Sequence, residues 1–174
     1  MTSALLGAGA NANARDTLGG SPLAEAIKGG WDSVIDQLLA AGAVLSAPTL
    51  TAAAELCGAV FEGDAPRLRR LLRAGAPVDA ADYDMRTALH IAASEGSLQA
   101  ARMLVEAGGR GMLAKVDRWG NRPVDDARRA GAAPVVKFLE EAEAVSPTAG
   151  GAAGIPAGWP SRAAASGSTG SFGS

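Results

Sequence analysis

Apolar side chains recur along this chain in short sets spaced three and four residues apart. Val34, Ile35, Leu38 and Leu39 form one set, and Leu68, Leu71 and Leu72 another. That spacing places each set on one face of an α-helix. The sets themselves repeat. LLAAGA ends at Ala43, LLRAGA at Ala76 and LVEAGG at Gly109, in steps of 33 residues. The same step joins Leu23, Leu56 and Leu89, and also Gly30, Gly63 and Gly96. A fourth copy follows two residues late, with Val124, Gly131 and Leu139. A fixed period of this length is the mark of stacked supersecondary units rather than of one globular core.

Each copy predicts two helices and a turn. In the third, Thr87 caps a short helix that runs through Ala88-Leu89-His90-Ile91-Ala92-Ala93 and stops at Gly96. Its hydroxyl suits a helix N-terminus, where the first-turn amides lack partners. Ser21 has that role in the first copy, with Pro22 in the first helical position, where a missing N–H costs nothing. A second helix follows, Ser97 to Ala107 in the third copy and Trp31 to Ala41 in the first. Gly42, Gly75 and Gly108 fall where a left-handed helix stop is expected. Extended turns then read Asp16-Thr17-Leu18-Gly19, Asp82-Tyr83-Asp84-Met85 and Asp117-Arg118-Trp119-Gly120. Met85 stands where the other two carry glycine, so its turn takes a left-handed penalty or another shape. Two extra residues in GGRGMLAKVD are expected to lengthen the last turn, so that it stands further out.

With TALHIAA in the third copy, SPLAEAI in the first and RPVDDAR in the fourth, the chain resembles the ankyrin repeats. The second copy, AELCGAV, is degenerate and lacks the Asp-to-Gly turn. The resemblance covers roughly residues 5–143 and implies an all-α solenoid of helix pairs with β-turn fingers. The expected organisation is a partial repeat at 1–14 and repeats at 15–47, 48–80 (degenerate), 81–115 and 116–145. A disordered Gly/Ala/Ser/Pro tail is expected at 146–174, where no periodic apolar residues offset the entropy of ordering. Residues 5–14 read as the end of a repeat whose helices are missing, so a piece of a larger protein is expected. More narrowly, DYDMRTALHIAASEG, ARMLVEAG and KVDRWGNRPVDDAR resemble the ankyrin segment of plant outward-rectifying, Shaker-type potassium channels. Similar runs close some glutaminases and asparaginases.

Composition narrows the functional classes. Sixteen basic and 18 acidic side chains give a net charge of −2, which disfavours nucleic acid as a partner. Only 4% of residues are aromatic while 48% are apolar, as thin, closely packed helices would require. One cysteine excludes an internal disulfide and suits a reducing compartment, so a cytoplasmic location is expected, on the intracellular side of a membrane if the parent is a channel. No apolar run reaches the roughly 18–20 residues of a membrane span.

Candidate chemistry is sparse. His90, the one histidine, is expected to tie neighbouring fingers by hydrogen bonds, since no acid–base partner sits at a telling spacing. Cys57 holds the same repeat position and reads as a small buried residue. Asp125-Asp126 and Glu140-Glu141 are adjacent on helices, so each pair diverges by about 100° and grips one metal poorly. GGRGMLAK lacks the Gly-Lys-Ser/Thr ending of a phosphate loop. Arg67, Arg69, Arg70 and Arg73 are expected to form the solvated face of a helix, with an anionic lipid or acidic partner as the alternative use. Glu62 and Asp64 favour that helix's N-terminus. No catalytic residue, metal site or cofactor is assigned.

The resemblance implies a concave surface built from finger tips and the exposed positions of each first helix, and a protein partner bound there. By register these positions are Thr17, Leu18 and Lys28, then Phe61 and Glu62, then Tyr83, Asp84, Arg86, Ser94 and Glu95, and finally Arg118, Trp119, Asn121 and Arg129. Tyr, Trp and Arg are the types enriched at binding hot spots. Phe61 is expected to pack on its neighbours, whereas packing and display stand level for Trp119. A protein-interaction module, serving as a cytosolic regulatory segment, is the expected function. The alternative is an inactive fragment of a potassium channel or of a glutaminase- or asparaginase-type enzyme.

Overall fold

The structure, a computed structural model, describes residues 11–144 apart from 16, 18, 19, 46–48 and 109, with the backbone alone at 49 and 50. Residues 1–10 of the partial repeat assigned to 1–14, Leu18 and the tail with Trp159 and Phe172 lie outside the described residues. Eight α-helices are described: α1 (Pro22–Gly29), α2 (Asp32–Ala40), α3 (Thr49–Phe61), α4 (Ala65–Arg73), α5 (Ala88–Ser94), α6 (Leu98–Gly108), α7 (Pro123–Arg129) and α8 (Ala133–Ala144). No strand occurs among the described residues; one antiparallel bridge, Ala81 to Thr87, closes the third finger.

The helices pair in order, α1 with α2 through α7 with α8, and successive pairs stack. The repeat period explains the packing. Leu23, Leu56, Leu89 and Val124 occupy one register position and are all at most 1% exposed. Leu38, Leu71, Leu104 and Leu139 do the same on the second helices, and all four are buried. Ala26, Ala59, Ala92 and Ala127 form a third buried row. Alanine there lets helices approach closely, and close packing gains dispersion contacts that bulkier residues would prevent. First helices α3, α5 and α7 stack directly, whereas α1 meets α4 of the next pair.

Local signals act as the residue types require. Ser21 Oγ accepts from the Ala24 amide at 3.2 Å, with Pro22 opening α1. Asp64 caps α4 by accepting from the Arg67 amide at 2.9 Å. Gly42 and Gly75 take left-handed conformations beyond α2 and α4. Gly108 does not: it remains the last residue of α6, where a Cβ would collide with Met112 and Val78. Close approach, rather than backbone handedness, explains glycine at that position. Met85 does carry the left-handed penalty, at φ 61°.

The insertion takes a definite shape. It winds into a 3₁₀ turn, Arg110–Met112, and buries Met112 and Leu113, because the core rewards covering those side chains. One further expectation needs correction: the arginines of α4 do not form a free solvated face. Arg67 pairs with Glu55 and with Glu62 at 3.1 Å, Arg70 with Asp32 at 3.1 Å, and Arg73 with Asp36 and Asp32. Stacking sets Asp32 and Asp36 of α2 opposite α4, which sequence spacing alone does not reveal. Arg69 is the exposed member of the group.

Candidate functional site

Two tight turns build the face on which the candidate residues lie. Asp82 Oδ1 accepts from the amides of Asp84 and Arg86, each at 2.9 Å. Asp117 Oδ1 repeats the pattern with Trp119 at 2.9 Å and Asn121 at 2.8 Å, and the Asn121 side chain donates to both its oxygens. Burial works against the Asp117 charge. The hydrogen bonds from Asn121 and Trp119 outweigh it and hold the carboxyl below its usual range. The fingers are also tied to each other. Arg118 donates its amide to the Asp84 carbonyl at 2.9 Å and its guanidinium to the Asp84 carboxylate at 2.8 Å.

His90 is the anchor beneath them. It is fully buried, and its Nδ1 accepts from the Thr87 amide at 3.1 Å and lies 3.0 Å from the Thr87 hydroxyl. Nε2 is 3.2 Å from the Asn121 carbonyl. An accepting Nδ1 leaves Nε2–H as the donor, so the ring is neutral and links the start of α5 to the next finger. Burial lowers its pKa, opposed by the Asn121 carbonyl and the Asp126 and Asp117 charges. Cys57, at the same repeat position, is half-buried. Burial, then the Asp82 charge, pushes its thiol up to about 11, against the opposing charge of Arg86. It is protonated at neutral pH and therefore a poor nucleophile.

Between the third and fourth copies lies an open groove of about 650 Å³. Five register-predicted residues line it: Arg86, Ser94, Trp119, Asn121 and Arg129. Asp117, Asp126 and Ala130 complete the wall. Asp126 is the member that sequence reasoning missed. It is 3% exposed, and its two oxygens receive Arg86 at 3.1 Å and Arg129 at 3.0 Å. Only Arg129, three residues on and so on the same helix face, was a local signal; the burial of Asp126 and its contact with Arg86 arise from stacking. Its neighbour Asp125 faces elsewhere, accepting from the Arg122 amide, which, ahead of burial's opposition and the nearby arginine charges, lowers its pKa.

The other candidates are scattered. Thr17 and Lys28 are exposed, and Lys28 pairs with Glu25 at 3.6 Å. Phe61 is 70% exposed, so it does not pack as expected. It ends α3, directly before the turn at Glu62-Gly63. Glu62 is engaged by Arg67. Glu95 is exposed beyond α5. Tyr83, 86% exposed, forms no pair with Arg86, whose guanidinium turns toward Asp126 instead. Trp119 is displayed rather than buried, 64% exposed, with the Arg118 guanidinium 5.6 Å from its ring centre.

Stacked helix pairs joined by Asp-anchored turns define a repeat solenoid that presents fixed side chains along one face. A family model for ankyrin repeats, in three copies, matches residues 56–148, and the chain belongs to the ankyrin-repeat family. The pair α1–α2 precedes the matched stretch and shares its buried register. No curated protein matches the chain. Ankyrin repeats are generally protein–protein interaction modules.

Proposed function

We propose that this protein binds a protein partner through its finger face, centred on the groove between the third and fourth copies. The supporting observation is Trp119: a large ring, 64% exposed, held on a turn that Asp117 and Asp84 fix from two sides. A side chain presented on a rigid turn has little ordering cost left to meet on binding. The remaining exposed positions, from Thr17 and Lys28 to Phe61 and Tyr83, lie outside this groove and would add separate contacts on the earlier copies and fingers. A cytosolic regulatory segment of a longer parent is the fitting context. The order of the motifs that resemble the potassium-channel segment supports a parent of that type, and the reading frame upstream of Met1 tests it.

The test is partner capture with the full chain, then titration of Trp119→Ala against the captured protein. Affinity should fall by about 2 kcal/mol, while the unfolding midpoint stays near that of the wild type. Arg69→Ala, on α4, should bind normally. A Trp119→Ala protein that binds normally but unfolds earlier would place the ring in packing and refute the reading.

A further inference from the structure

We infer that the groove between the third and fourth copies is a carboxylate-selective subsite. It takes an Asp or Glu side chain from an acidic peptide segment, with an adjacent aromatic residue laid on Trp119. This deepens the proposed function and rests on it.

The groove's acceptors are spent and its donors are not. Asp126 is buried, and each of its oxygens already receives a guanidinium. Asp117 turns both its oxygens to Asn121 and the finger amides. The Ser94 hydroxyl donates to the Ile91 carbonyl at 3.0 Å. By contrast, Arg129 donates to Asp126 through Nη1, and its side chain is 63% exposed. Arg86 donates through Nη2, while its Nε is buried without a hydrogen-bond partner. A guanidinium carries five N–H donors and no acceptor. The bonds formed leave N–H groups on both arginines that no other side chain of the groove engages, those of Arg129 open to the groove, and acceptors are what a ligand there can offer them.

Geometry points the same way. Arg86 and Arg129 face Asp117 and Asp126 across the groove, so its net charge is zero. Both acids are already held inside the fold, and the charge left displayed toward a ligand is guanidinium, above all the exposed Arg129. The planar fork of an arginine matches carboxylate geometry. An ammonium group would bring only donors to donors. A phosphate dianion would bring twice the negative charge of a carboxylate beside Asp117 and Asp126. At the rim, Trp119 keeps most of its ring surface open beside Arg118. An aromatic residue next to the ligand's acid stacks there with an offset, while its carboxylate reaches Arg86 and Arg129.

The experiment titrates the full chain with three capped peptides, one with a Glu-Phe-Glu core, one with Gln-Phe-Gln and one with Gln-phosphotyrosine-Gln. The Glu-Phe-Glu peptide should bind at least about tenfold tighter than its Gln counterpart, as charge-assisted bonds exceed neutral ones. Arg129→Met should erase that ratio, Trp119→Ala should weaken both unphosphorylated peptides, and Arg69→Met should change neither, with circular dichroism confirming the fold of each variant. Equal binding of the Glu and Gln peptides, no binding of either, or tighter binding of the phosphotyrosine peptide would overturn the inference. A random peptide library selected on the wild-type chain separates the two levels. Enrichment of acidic, aromatic sequences supports the subsite. Enrichment of neutral or basic sequences overturns it and leaves the interaction module standing. No enrichment counts against both.

Discussion

Replacing His90 by Ala removes the link between α5 and the finger of the next repeat, and its cost can be worked from the contacts. The ring is fully buried and uses both nitrogens. Its loss leaves the Thr87 amide and the Asn121 carbonyl without that partner, each costing about 1–3 kcal/mol when water cannot substitute. One lost bond would amount to about 1–2 kcal/mol. Two partners on a ring with no exposure raise the expectation to about 3 kcal/mol, including the space left behind. For a domain of this size that corresponds to a fall of about 10 °C in unfolding temperature. Urea denaturation followed by circular dichroism at pH 7.5, 6.0 and 5.0 supplies a second arm. Burial lowers the native pKa below the ordinary 6.5, so below pH 6.5 the unfolded chain binds the proton more readily than the folded one. Stability from this group is complete above pH 6.5 and is lost as pH falls through the native value. The gap between wild type and His90→Ala should therefore narrow toward pH 5. A variant within 1 kcal/mol of the wild type at pH 7.5, or a gap that widens on acidification, would refute the assignment of a neutral, doubly bonded ring.

Two further outcomes follow from the backbone. Met85→Gly should stabilise the chain by about 1 kcal/mol, because φ 61° strains an L side chain that is itself 58% exposed; a lower unfolding midpoint would show that the methionine packs in a way its exposure conceals. Gly108→Ala should destabilise by about 1–3 kcal/mol, since its Cβ would meet Met112 and Val78 and force the 3₁₀ turn to shift. An unchanged midpoint in urea would mean that the turn yields freely.

The helix pairs and their register were legible in the sequence because they depend on local pattern. Leu23, Leu56 and Leu89 announce a buried row through period alone, and Ser21 and Asp64 act on amides three residues away. His90 was legible for the same reason on one side: Thr87 lies three residues before it. What the tertiary structure decided is every pairing across repeats. Arg70 and Arg73 read as a solvated face until stacking brings Asp32 and Asp36 opposite them. Asp126 reads as half of an idle acidic pair until Arg86, from the preceding finger, reaches it over 40 residues of chain. The two-residue insertion has no local signal for its shape, because burying Met112 and Leu113 pays only where a neighbouring helix supplies the cover. A solenoid repeats its local rules along the chain, whereas its surface chemistry arises between copies, where residues far apart in sequence are set side by side by the stacking geometry.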